Sequence, residues 1–297
     1  MSKHAYMILA HKSDLTFYSL IHMLDDPRND LYIHMDIKNT QFDPESVYSM
    51  MKHSKVYFTD RVSITWGHHL QVLARMDLLQ KARESGESYS YYHFISGEDL
   101  PIQTQDYTHA FFEENAGKEF VNYEWEEFPY HSRVRYYYLF QDKAGRGRSL
   151  YKWIFRGLDR ASIACQKLFG VWRNPDVPFG KGEAWASITS DMANYILDNR
   201  KAIEGWFKYT FCGDEEWFQT VADASGLSKN LYRPKTEKET CDIMRLIDWK
   251  RGDPYVFRSE DWEELRASDM LWARKFDARV DSQIIEKLRD YYSSAES

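Results

Sequence analysis

Four short clusters in this sequence carry side chains whose types and spacing could do chemistry. They are Tyr32-Ile33-His34-Met35-Asp36, Ile95-Ser96-Gly97-Glu98-Asp99-Leu100-Pro101-Ile102, Gly213-Asp214-Glu215-Glu216-Trp217-Phe218 and Trp272-Ala273-Arg274-Lys275-Phe276-Asp277. A carboxylate such as Glu215 can take a proton from an attacking hydroxyl. A lysine such as Lys275 can neutralise a departing anion. Read locally, Asp214 to Glu216 could also be the acidic start of a helix, favoured by the helix dipole. Several familiar chemistries are missing. The sequence has no Gly-x-Gly-x-x-Gly, no P-loop and no Gly-x-Ser-x-Gly. His68-His69 has no neighbours at metal-ligand spacing, and no Asp-x-Asp pair is present to hold a divalent cation. Glu124-Trp125-Glu126 is the nearest imitation.

Elements that alternate between strand and helix must position these clusters. Ala5 to Leu9, Leu31 to Met35, Val56 to Phe58, Tyr91 to Ile95 and Glu183 to Ile188 read as strands. Ser13 or Asp14 would cap a helix carrying Leu20, Ile21 and Leu24. Leu70, Leu73, Ala74 and Leu78 share a helical face. Thr189 would cap a helix running to Asn199, Asp214 to Ala222 looks helical, and Asp281 to Tyr292 reads as a closing helix. This pattern predicts an α/β fold with a mainly parallel central sheet flanked by helices, in a single domain spanning 1–297. Ligands of such sheets bind beyond the C-terminal strand ends, where Asp36 and Ser96 to Asp99 fall.

Bulk composition limits the partners. A formal charge of -7 over 297 residues argues against nucleic acid. No apolar run approaches the ~20 residues of a membrane span. No signal peptide is recognised, and three scattered cysteines suggest neither a disulfide framework nor a zinc site. A cytoplasmic location is expected. The segment 143–173 stands apart: eight Lys or Arg against Asp159 give it +7, leaving -14 elsewhere. Its basic residues are mixed with Trp153, Ile154, Phe155, Leu158, Leu168, Phe169 and Trp172. It is either an amphipathic helix for an anionic membrane surface or a solvated helix with a core-facing stripe.

Taken in order, the sequence resembles the core-2/I-branching β-1,6-N-acetylglucosaminyltransferase family, which also contains protein O-xylosyltransferases. The likeness starts at Ala5 to Lys12 (Ala-Tyr-x-Ile-x-x-His-Lys) and passes through Trp66. It continues through Ser-Gly-x-Asp-x-Pro-Ile, Asp214-Glu215 and Asp248-Trp249 to Ala273 to Asp277. The resemblance implies a GT-A-type (Rossmann-like) fold and an inverting, metal-independent transfer of a sugar from a UDP-sugar to a carbohydrate acceptor. No cofactor is expected. N-acetylglucosamine is the leading donor sugar; xylose, glucose, galactose and glucuronate stay open.

The resemblance makes Glu215 the catalytic base and Lys275 the phosphate-binding cation. A second cation is expected just upstream, with Arg251 and Arg258 as candidates. Asp36 would meet the uracil ring, with Ala10 and His11 nearby and Trp66 also on the donor side. Asp99 either faces the donor sugar or shapes its own turn. Acceptor contacts fall by position on Glu124 or Glu126, Arg133 or Arg135, and Trp249. The expected acceptor is a surface polysaccharide or glycoconjugate, free or lipid-linked, approached at the inner face of a cell membrane. A rival from another class is a non-catalytic carbohydrate-binding protein on a transferase fold.

Overall fold

The computed structural model describes residues 2–124, 128–233 and 240–294. In chain order its main elements begin with β1 (Lys3–Ala10), α1 (Leu15–Met23), β2 (Asn29–Met35), β3 (Lys55–Phe58), α2 (Leu70–Glu84), β4 (Tyr89–Ser96), β5 (Asp99–Pro101) and α3 (Gln105–Glu114). They continue with α4 (Leu150–Leu168), β6 (Ala186–Thr189), α5 (Ser190–Asp198), α6 (Trp217–Ser225), β7 (Arg245–Ile247), β8 (Trp272–Arg274) and α7 (Ser282–Ser294).

The central sheet has the order β3-β2-β1-β4-β6. Its first four strands run parallel, and β6 runs antiparallel to β4. Side chains on a strand alternate between faces, and β1 feeds two cores accordingly. Tyr6, Ile8 and Ala10 join α1, α7 and Trp272 on one side. Ala5 and Met7 join α2, α5 and α6 on the other. This is the mainly parallel sheet covered on both faces that the sequence pattern requires.

Helix boundaries follow from local chemistry. The Asp14 carboxylate accepts from the Thr16 and Phe17 amides at the start of α1, and Thr189 caps α5. Three expectations shift. The face of α2 that packs inward carries Val72, Met76, Leu79 and Ala82, while Leu70 and Leu73 are only partly buried. Residues Gly213–Glu215 form a 3-10 turn, and the helix proper starts at Trp217. Glu183 to Trp185 precede β6 instead of belonging to it.

A second sheet, β5-β8-β7, sits against the C-terminal end of the first. Arg245 on β7 fastens the two together. Its fully buried guanidinium donates to the carbonyls of Phe94 on β4 (2.9 Å) and Ala186 on β6 (3.1 Å), and it stacks on Trp272. Burial pushes its pKa down to about 10.

Glu119 ties the sheet edge to α5. Its carboxylate accepts from the Thr189 amide (3.0 Å) and hydroxyl (2.5 Å). Burial raises its pKa from 4.5 to about 7. The folded protein therefore holds a proton there between pH ~4.5 and ~7 that the unfolded chain releases, so this group's contribution to stability falls as pH rises through that window. Urea unfolding at several pH values should show Glu119→Gln with a shallower loss over this window, by about 1–3 kcal/mol. An unchanged slope would contradict the assignment.

Candidate functional site

A cleft of about 840 Å³ opens beyond the C-terminal ends of β1, β2 and β4. Its floor includes Ala10 and His11 after β1, Asp36 after β2, and Ser96 and Glu98 after β4. Close backbone approach shapes this floor. A Cβ on Gly97 would lie 2.9 Å from the Ala10 side chain, so the turn after β4 can press on β1 only with glycine there. From other parts of the chain the cleft gathers Trp66, Glu215, Trp249 and Lys275.

Asp36 is buried at the strand end. One carboxylate oxygen accepts from the Lys38 amide (2.9 Å), the other from the Ile64 amide (3.1 Å), and Lys38 Nζ lies 3.2 Å away. A carboxylate has about four acceptor positions, so capacity remains for a ligand N–H. His11 is exposed, its ring 3.9 Å from the Glu98 carboxylate. Trp66 stacks on the Arg146 guanidinium at 4.3 Å.

Glu215 is part-exposed at the end of its 3-10 turn. Two cations hold it: Arg133 Nη1 at 2.8 Å and Lys181 Nζ at 3.6 Å. Lys181 is itself buried and sits 2.6 Å from Glu124. Glu124, Lys181, Glu215 and Arg133 thus form one alternating chain of charges. Of the acidic neighbours of Glu215 in sequence, Asp214 also lines the cleft and Glu216 lies 3.9 Å from the same Arg133. Asp214 turns toward buried Arg75 at 4.0 Å. Glu216 is fully buried, and desolvation pushes its carboxyl well above the ordinary range. The local environment of Glu215 is therefore cationic, where the sequence neighbours suggested an acidic one.

Lys275 lines the cleft half-buried, and among the described residues its ammonium has no carboxylate partner. Its neighbour Arg274 behaves differently. Arg274 pairs with Asp99 at 2.5 Å, also donates to the Ser96 hydroxyl, and stacks on Trp185 at 4.4 Å.

Several sequence candidates take other places. Asp99 does not line the cleft: it is fully buried, accepting from the Ser96 amide (2.9 Å) and hydroxyl and from Arg274. It shapes its turn. Arg251 is committed to Asp248, Asp261 (2.6 Å) and Glu264 (2.7 Å), and stacks on Tyr255. Arg258 is exposed at a turn whose amide donates to Asp261. Neither arginine lines the cleft. Arg135 is buried between Trp172 and Phe179, donating to the carbonyls of Arg173, Asn174 and Val177. It braces a loop and does not reach the cleft. Glu126 lies outside the described residues.

Other residues enter the site without having been singled out. Lys143, Arg146 and Lys152 bring cations from the basic segment to the cleft wall. Lys181 and Glu183 arrive just before β6. Glu183 accepts from the Trp249 indole N–H at 3.1 Å. Burial, then the nearby Glu124 and Glu215 carboxylates, push its pKa up to about 7. The short Lys-Gly-Glu run was the only sequence signal. A Cβ on Gly182 would fall 2.1 Å from the Asn122 carbonyl, which fixes glycine there. Among the described residues no group of three or more His, Cys, Asp or Glu is arranged to hold a metal ion.

Comparison with known proteins bears on this geometry. Residues 4–274 match the family model "Core-2/I-Branching enzyme". Xylosyltransferase oxt of Drosophila melanogaster is 22% identical over 92% of this chain and 31% of its own length. A Bos taurus β-1,3-galactosyl-O-glycosyl-glycoprotein β-1,6-N-acetylglucosaminyltransferase 3 is 22% identical over 97% of this chain and 67% of its own. The chain thus spans about a third of the xylosyltransferase it matches. The apo structure of mouse xyloside xylosyltransferase 1 aligns over 92% of this chain and 97% of its own at TM-score 0.37 and 10% identity, a distant likeness. The chain belongs to the core-2/I-branching enzyme family.

The placement of Asp99 is open to a direct check. Asp99→Ala leaves Arg274 with a buried, unpaired charge, and urea unfolding should show a loss of about 3–5 kcal/mol. A loss below ~1 kcal/mol with weakened UDP binding would move Asp99 to the donor side.

Proposed function

We propose that this core-2/I-branching family member is an inverting, metal-independent glycosyltransferase that moves a sugar from a UDP-sugar to a carbohydrate hydroxyl. The observation that carries this reading is one cleft lined by an oriented carboxylate, Glu215, and an ammonium without an acid partner, Lys275. Donor residues sit at the strand ends and acceptor candidates around Glu215.

In this mechanism Glu215 takes the proton of the acceptor hydroxyl as its oxygen bonds to the anomeric carbon. The bond from that carbon to the diphosphate oxygen breaks in the same step, and UDP leaves. An α-linked donor therefore gives a β-linked product. Arg133 and Lys181 hold the Glu215 carboxylate in place. Lys275 meets the charge that builds on the leaving diphosphate, a task suited to a fixed cation in a partly dry cleft. Arg146 and Lys152 on the opposite wall are available as its partners in place of Arg251 and Arg258. Metal independence is supported by the donor set, because the clustered carboxylates of the cleft are interleaved with Lys181 and Arg133.

N-acetylglucosamine remains the leading donor sugar and xylose the first alternative, since both activities occur among the named relatives. Glu124, Arg133 and Trp249 are assigned to the acceptor, with Glu183 holding the Trp249 indole. In this reading the enzyme works on the cytoplasmic face of a membrane on a surface polysaccharide or glycoconjugate acceptor, which can be lipid-linked. Among the described residues no helix is long and apolar enough to cross a membrane.

A second reading of the base has its own observation. Glu183 also faces the cleft, and its pKa near 7 suits proton transfer at neutral pH. Two variants separate the readings. Glu215→Gln should bind UDP normally and lose transfer by about 10²–10⁴-fold. Glu183→Gln should lose less and shift the pH profile. UDP release over a panel of UDP-sugars provides the readout and identifies the donor. Full activity in Glu215→Gln would overturn the assignment, and loss confined to Glu183→Gln would transfer the role.

A further inference from the structure

Helix α4 is inside out. Its polar side faces the protein: Asp159 is buried and accepts from the Phe140 amide at 3.1 Å. Gln166 accepts from the Tyr137 amide (2.7 Å) and donates to its carbonyl (2.9 Å), and Arg156 donates to the Gly147 carbonyl (2.8 Å). The opposite stripe is apolar and faces solvent. Leu150, Ile154 and Leu158 recur four residues apart, and Trp153 lies beside them. Ile154 is 55% exposed, Trp153 54% and, at the helix end, Leu168 and Phe169 81% each. An amphipathic helix normally buries such a stripe. Here the core-facing alternative fails for this stripe: the other side of the helix is the one held to the body, by these hydrogen bonds and by Phe155 packed on Phe140.

The flanks of the stripe are cationic. Between α4 and the Gly145–Arg148 loop lies a second pocket of about 510 Å³, bordered by Arg146, Arg148, Arg156 and Arg160. Arg148 and Arg160 are exposed, and among the described residues they have no carboxylate partner. The acid of this pocket, Asp159, is buried and uses one carboxylate oxygen on the Phe140 amide. The pocket shares Trp66, Gly145 and Arg146 with the catalytic cleft.

We propose that the outward stripe of α4 and its arginine flank form a docking surface for an anionic phospholipid bilayer, with lipid phosphates taken by Arg148 and Arg160. The inference rests on the membrane-side reading of the acceptor given above and names the surface that would serve it. Charge complementarity selects the occupant. A second copy would bring two segments of +7 face to face in a symmetric contact. A bilayer offers both an apolar layer for Trp153, Ile154 and Leu158 and a sheet of phosphates for the arginines. Because the arginine pocket and the cleft share a wall, a docked enzyme would present the cleft next to the headgroups.

Vesicle co-sedimentation of the full chain tests this, using phosphatidylcholine alone and phosphatidylcholine mixed with phosphatidylglycerol. The protein should be retained on the anionic vesicles at low salt and not on the neutral ones. Two double variants separate the contributions: Ile154→Ser with Leu158→Ser, and Arg148→Ala with Arg160→Ala. Each should weaken retention by at least about tenfold, the arginine pair with a smaller salt dependence. Unchanged melting temperatures and UDP release rates with a soluble acceptor establish that the variants are folded. No retention on anionic vesicles, or retention untouched by both variants, overturns the proposal. So does a dimer in solution that Ile154→Ser with Leu158→Ser dissociates, since a second copy would then cover the stripe. Retention without UDP release in the unmodified chain would instead sink the transferase reading and leave the docking surface standing.

Discussion

The buried pair between Asp99 and Arg274 is the interaction on which the site depends. It joins the turn after β4 to the strand that delivers Lys275, residues far apart in sequence. With Arg274 neutralised by Asp99 and stacked on Trp185, the adjacent Lys275 is left to the cleft. The two neighbouring cations therefore divide their work: one is structural and paired, the other remains available to an anion. Arg245 adds to this by pinning the small sheet to the carbonyls of β4 and β6. Such buried charges cost desolvation and are retained only where hydrogen bonds and counter-charges satisfy them.

A similar division orders the opposite side of the cleft. Three acids occur in a row at Asp214, Glu215 and Glu216, and folding gives them different burial and different nearest cations, although Arg133 reaches both Glu215 and Glu216. Asp214 faces Arg75, Glu216 is buried, and Glu215 points out between Arg133 and Lys181. Contacts with two cations fix the orientation of the Glu215 carboxylate. Its cationic neighbours also disfavour the use of this acidic cluster as a metal cage.

Much of the scaffold was legible in the sequence because strand and helix periods differ, and because caps such as Asp14 and Thr189 act over a few residues. The strand-end placement of Asp36 follows from that pattern; Ala10, His11, Glu215 and Lys275 came from the resemblance carried by the ordered motifs, and all five line one cleft. What stayed illegible was pairing across the fold. Arg251 looks like a free cation until Asp248, Asp261 and Glu264 close on it. Arg146, from a loop, and Lys152, from the first turn of α4, reach the cleft, and sequence alone gave no reason to connect them to it. Glu183 gained its raised pKa from burial beside Glu124 and Glu215. For α4 the amphipathic period was readable, but not which side faces the protein; the hydrogen bonds of Asp159 and Gln166 decide that.

The central claim is that fixed side chains, Lys275 foremost, do the work a divalent cation does in other nucleotide-sugar enzymes. Calorimetric titration of UDP into the unmodified chain and Lys275→Ala, each with and without EDTA, tests it most directly. The account predicts UDP affinity unchanged by EDTA and weakened by about tenfold or more in Lys275→Ala. Binding abolished by EDTA and restored by Mn²⁺, with Lys275→Ala unaffected, would contradict it.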